Sequence, residues 1–185
     1  MTTTKKGLTP ARKVGGSYNT AGLKMYPIEN GYGTSLAKGD VVKVSGGFVV
    51  AATNGAATGV LDSVAYVNSE GELVNDSIFT ANTSSAATID GQANVMAFIA
   101  EGDGNTYLAR SKTSIAATAI GDYYTLSANA SPDTIYGRSE AILDTAVASA
   151  GAGLVRVVGF PNRAGTVAGD DPTIVEVELV TRTFE

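Results

Sequence analysis

The chain has 185 residues, 44% apolar and 17% charged, with a formal net charge of −5 and no His, Cys or Trp. A chain of this length buries about 70% of its unfolded surface, so one compact domain or two small ones are expected. The missing residue types exclude a disulfide framework, a thiol nucleophile, a thiolate or imidazole metal site and a Ser-His-Asp triad.

The opening segment, residues 1–25, reads as an extended basic arm with little structure of its own. It contains Pro10 and the run Gly15-Gly16-Ser17. Residues 1–28 hold Lys5, Lys6, Arg12, Lys13 and Lys24 and no acid, for a charge of +5, which leaves −10 on the remaining 157 residues. A cationic arm on an acidic body suggests a segment that reaches for an acidic surface, while a solvated terminus fits the composition equally well. The acidic body disfavours nucleic acid as the partner. No apolar run is long enough for a signal peptide or a membrane span, so no membrane partner is expected and the protein is expected to be made in the cytoplasm.

From residue 26 onward, short β-branched runs alternate with turn signals, the punctuation of an all-β body: an antiparallel β-sandwich or barrel with at most one short helix. Within it, 26–111 and 112–185 could form two small subdomains. The clearest element is a hairpin, Asp40–Ser45 and Phe48–Ala52 around Gly46-Gly47, whose glycines supply the positive φ a two-residue turn needs. A turn at Asn54-Gly55, a strand over Val60–Val67 and a turn at Asn68–Gly71 follow. Residues 72–91 are polar, with one short strand expected near Ser77–Ala81. Residues 92–100 and 106–111 flank Glu101-Gly102-Asp103-Gly104-Asn105 and read as a second hairpin with a longer turn.

Lys38-Gly39-Asp40 and the strand after it have a counterpart 82 positions later in Ile120-Gly121-Asp122 and Tyr123–Ser127. An internal duplication and simple reuse of Gly-Asp before strands both fit this similarity. Ser139–Gly151 carries Ile142, Leu143, Ala146, Val147 and Ala150 at helical spacing and reads as a short helix, with an extended pairing of Ile142-Leu143 as its rival. Leu154–Phe160 is apolar except for Arg156 and is expected to be buried on both faces or at an interface. A Gly-rich, mobile loop over residues 161–172 leads to a half-exposed closing strand, Thr173–Phe184, in which Val175, Val177 and Leu179 alternate with Glu176 and Glu178.

No constellation carries chemistry. Glu101–Asn105 places oxygens like the start of a calcium loop, but its sixth position is Thr106 rather than Gly and its twelfth is Lys112 rather than Glu. Asp170-Asp171 reads as a solvated pair in a loop. Gly102-Asp103-Gly104 lacks the strand-then-helix setting of a nucleotide loop. No catalytic, metal or cofactor residues are assigned. Tyr18 suits partner contact, since an aromatic ring gives buried area at small entropic cost. Tyr26, beside Pro27 and Ile28, suits packing onto the body.

Tyr26-Pro27-Ile28-Glu29-Asn30-Gly31-Tyr32-Gly33-Thr34-Ser35, then Lys38–Lys43, Gly59-Val60-Leu61, Tyr66-Val67-Asn68, Gly137-Arg138-Ser139, Leu143-Asp144 and Val155–Phe160 together carry a resemblance. Over residues 18–184 the chain resembles the small decoration, or cement, proteins encoded near the major capsid gene of tailed bacteriophages. The resemblance implies a non-enzymatic, β-rich virion subunit on the outer surface of the expanded shell. It also implies that the subunit binds the major capsid protein, associates with itself as a trimer rather than a dimer, and clamps capsomers against DNA pressure. Lys5, Lys6, Arg12, Lys13, Tyr18 and Lys24 are then the expected partner contacts. A glycan- or host-surface-binding, adhesin-like β-module is the alternative.

Overall fold

The computed structural model describes residues 7–13, 23–53, 55–89, 91, 94–149, 152–161 and 167–180. Strand β1 (Thr9–Lys13) precedes β2 (Lys24–Ile28), β3 (Leu36–Ala37), β4 (Val41–Ser45), β5 (Phe48–Ala51), β6 (Gly59–Val67), β7 (Leu73–Asp76), β8 (Ile78–Phe79) and β9 (Val95–Glu101). The second half contributes β10 (Asn105–Arg110), β11 (Tyr123–Ser127), β12 (Pro132–Asp133), β13 (Arg138–Ser139), β14 (Ile142–Val147), β15 (Val155–Gly159) and β16 (Ile174–Leu179). The only helical element among the described residues is a single 3-10 turn at Ala117–Ala119.

The protein is all-β and its sheets are antiparallel and open, so the sandwich expectation holds and the barrel one does not. One sheet runs β2-β9-β6-β4-β5 with β7 also on β6, the other β1-β10-β16-β15-β11-β14. Period-two alternation divides the apolar residues between two cores. Val41, Val60 and Ala100 face the core shared with the second sheet, while their neighbours Val42, Leu61 and Ile99 face a core of the first sheet alone. The pair β3 and β8 supplies Leu36 and Phe79 to that second core. The second sheet has one inward face: Val155, Val157, Val175, Val177 and Leu179 are buried, and on the other face Arg156 pairs with Glu178 at 2.7 Å. Leu154–Phe160 is therefore not buried on both faces, because Arg156 points to solvent.

Five strands of each sheet repeat five of the other. Val41 and Val42 pair with Val60 and Gly59; 82 positions on, Tyr123 and Tyr124 pair with Arg156 and Val155. β6 slips register on β9 between Leu61 and Ser63, and β15 slips on β16 between the matching Val157 and Gly159. Even the Gly-Asp corners agree: Gly39 has φ 98° and Gly121 φ 99°, and each donates its N–H at 2.8 Å, to Leu61 O and Val157 O respectively. The order β2-β9-β6-β4-β5 thus matches β10-β16-β15-β11-β14, a structural duplication whose sequence trace is little more than Gly-Asp.

Three further expectations change. The segment 142–147 is strand β14, paired with β11, rather than helix. Ile142, Leu143, Ala146 and Val147 fit the helical period, but β-branched Ile142, Thr145 and Val147 favour the extended form. Ser139, at the start of that segment, bonds a buried carboxylate. Second, β9 and β10 do not form a hairpin, because β2 and β6 already occupy both edges of β9. The chain turns from one sheet into the other there, held by Gly102 N–H donating to Thr58 O and by the buried Tyr107 hydroxyl donating to Glu101 O at 2.6 Å. Third, residues 9–13 of the leader form β1, antiparallel to β10. Residues 162–166 of the Gly-rich loop lie outside the described residues. The Gly-Gly hairpin is as expected, with Ser45 opposite Phe48 and φ of 60° and 86° at Gly46 and Gly47.

Candidate partner-binding surface

Of the six expected contact residues, Lys5, Lys6 and Tyr18 lie outside the described residues. Arg12 and Lys13 lie at the end of β1, opposite Thr106 and Asn105 on the edge of the second sheet; their side chains lie outside the described residues. Lys24 sits in β2 on the edge of the other sheet, and its Nζ is 2.7 Å from Glu101 Oε2. The structure therefore places Arg12 and Lys13 on one sheet edge and Lys24 on another, and it engages Lys24 within the chain.

Glu101 is the hub of that edge, because the Tyr26 hydroxyl also donates to it at 2.6 Å. Burial pushes the Glu101 carboxyl up, but the hydrogen bonds from Lys24 and Tyr26 and the Lys24 charge outweigh it and hold the group below its ordinary value. The Tyr26 phenol moves the other way: burial, then the hydrogen bond to Glu101 and its charge, push it up to about 12. Tyr26 and Tyr32 pack against the first sheet's own core, and the Tyr32 hydroxyl accepts from Ala51 N–H at 3.1 Å.

Where the two halves meet, the chain builds a polar bolt that sequence reasoning missed. Asp40 is fully buried, and its carboxylate accepts from Ala37 N–H at 2.8 Å, from Ala130 N–H at 2.9 Å and from the Ser139 hydroxyl. Burial raises the Asp40 carboxyl, and the three hydrogen bonds only partly offset it. Asn129 adds a second clasp, accepting from Val41 N–H and donating to Val41 O and Ala52 O, all within 2.8 to 2.9 Å. The leader threads between these parts. Gly7 N–H donates to Ser139 O, Leu8 N–H donates to Gly39 O, and Leu8 is buried in the shared core. Gly7 is required there, since a Cβ would lie 2.6 Å from Gly39 O.

Beside this seam lies a cavity of about 140 Å³. Leu8, Val60 and Ala100 form part of its wall, and Lys38, Asp62 and Arg138 bring charge to it. Lys38 Nζ is ion-paired to Asp62 Oδ1. Neither candidate metal string gathers a ligand set. In Glu101–Asn105, Glu101 is held by Lys24 and Tyr26, while Asn105 Nδ2 donates to Glu101 O at 2.6 Å, which makes the segment a corner. Asp170 Oδ2 accepts from Val167 N–H at 2.8 Å and closes its own turn. Among the described residues no three acidic side chains converge as a metal site, and no helix is long and apolar enough to cross a membrane. No family model, curated protein or solved structure matches this chain.

Proposed function

We propose that this protein is a structural, non-enzymatic subunit of a tailed-phage virion that binds the outer surface of the expanded capsid. It contacts the major capsid protein, associates with itself and holds neighbouring capsomers together. The observation that carries this reading is the charge division, +5 over residues 1–28 against −10 over the rest. It is supported by the way β1 is stitched onto the second sheet, which holds Arg12 and Lys13 of the basic segment at a sheet edge of the body. Linked contacts of that kind act at high effective concentration. The sequence resemblance to decoration proteins points the same way.

Deleting the leader would be a poor test, because it also removes Leu8 from the shared core and Lys24 from Glu101. The informative variant replaces Lys5, Lys6, Arg12 and Lys13 by Gln and leaves the fold alone. Binding of this variant to expanded empty shells should weaken at least about tenfold and lose much of its salt dependence. Unchanged binding would remove the arm from the account.

A further inference from the structure

In the first sheet β4 turns into β5 through Gly46-Gly47 alone; at the matching place in the second sheet, between β11 and β14, residues 128–141 intervene. The two ends of this excursion form the bolt, through Asn129, Ala130 and Ser139. Its tip takes no part in that. Ile135 is 83% exposed and Tyr136 64% exposed. The turn beneath them is nevertheless fixed: Asp133 Oδ1 accepts from Ile135 N–H at 2.9 Å and Tyr136 N–H at 3.3 Å, and Gly137 N–H donates to Asp133 O at 2.9 Å. Gly137 lies against Ser77, where a Cβ would overlap the hydroxyl oxygen. Two large apolar side chains held out on a rigid turn lose little entropy on docking.

We propose that Tyr136, flanked by Ile135, enters the cavity beside the seam of a second copy of this chain, and that the exchange is reciprocal. The cavity, about 140 Å³, is close to the 150 Å³ that holds a benzene ring in an engineered core. Leu8, Val60 and Ala100 form its nearly buried apolar floor, exposed Pro10 offers a ring to stack on, and Asp62 can accept a hydrogen bond from the phenol with the Arg138 and Lys38 cations beside it. Projection and recess are neighbours: Arg138 lines the cavity and stands two residues from Tyr136, at most about 8 Å between Cα atoms. A reciprocal exchange is an isologous contact about a two-fold axis, so the closed unit is a dimer. This rests on the self-association part of the proposed function, with a two-fold dimer in place of the trimer that the resemblance implies, and needs nothing from the shell part, so the test contains no shell.

The test is sedimentation equilibrium of the purified full-length protein across micromolar concentrations. The natural chain should be a dimer, and Ile135→Ser with Tyr136→Ser should weaken self-association about 100-fold, equivalent to about 2.8 kcal/mol at 1.4 kcal/mol per tenfold. These side chains are exposed, so circular dichroism should show an unchanged fold. A second measurement uses the absence of native Cys. Thr9→Cys and Thr134→Cys, purified separately, mixed and oxidised, should cross-link to each other far more than either does to itself, since Thr9 lines the cavity and Thr134 adjoins Ile135. A monomeric natural chain, a double variant that associates like the natural one, a ring larger than a dimer, or cross-linking without preference for the unlike pair would each overturn the proposal.

Discussion

Replacing Asp40 by Ala should be among the most destabilising single changes in this protein. It leaves three buried donors, Ala37 N–H, Ala130 N–H and the Ser139 hydroxyl, without their acceptor. An orphaned buried donor costs about 1 to 3 kcal/mol, and some relief comes from no longer burying a carboxylate, so the total should be about 3 to 5 kcal/mol. With a urea slope of about 2 kcal/mol/M for a chain of this size, the unfolding midpoint should drop by roughly 2 M with little change in slope. The duplication supplies the control. Asp122 occupies the matching position but is exposed, so Asp122→Ala should stay within about 0.5 kcal/mol of the natural chain. Urea titrations followed by circular dichroism measure both. Equal effects of the two substitutions, or an Asp40→Ala loss below about 1 kcal/mol, would refute the bolt.

The pH dependence of Asp40→Asn carries a sign that can be checked. Because the folded state holds the Asp40 carboxyl above its ordinary 3.8, its contribution is fully present below that pH and is lost as pH rises through the folded value. The deficit of Asp40→Asn in urea should therefore be largest near pH 4 and narrow toward neutrality, and a deficit that widens would contradict the assignment. Glu101→Gln should bring the Tyr26 phenol down from about 12 toward the ordinary value of 10.0, read by NMR of labelled tyrosine ring carbons. Gly59→Ala places a Cβ 2.5 Å from Ile99 Cγ2 and against Ala100 backbone, so it should cost several kcal/mol, about 3 or more, in the same urea assay. Gly47→Ala meets open space and suffers only from φ 86°, so about 1 kcal/mol is expected.

What could be read from the sequence was local. Gly46-Gly47 between two apolar runs fixes its hairpin whatever surrounds it, and the alternation names the buried face of Val175, Val177 and Leu179, although Glu176, expected on the exposed face, is buried too. Ile142–Val147 was ambiguous because its apolar spacing is helical while its β-branched residues favour a strand, and the choice is made by the free edge of β11. The corner at residues 102–104 misleads for a related reason: a turn between two strands makes a hairpin only if their edges are free, and β9 had none to offer. Gly39-Asp40 and Gly121-Asp122 look alike in sequence and fold alike, yet only Asp40 is buried. Burial depends on Gly7-Leu8 and residues 128–139 arriving from far along the chain. Lys24 was legible as a cation of the leader, while its partner Glu101 lies 77 positions away across β9. The tip at Ile135 and Tyr136 gave no signal in advance, because its prominence comes from comparing two halves that only the backbone shows to be equivalent.

The most direct measurement is the quantity of this polypeptide in purified phage particles relative to the shell protein, by mass spectrometry with labelled standards. A cement subunit should be present in a fixed, simple ratio to the major capsid protein and be lost together with the particle's resistance to heat. Particles that lack the polypeptide, or carry it in traces that vary between preparations, would contradict the account.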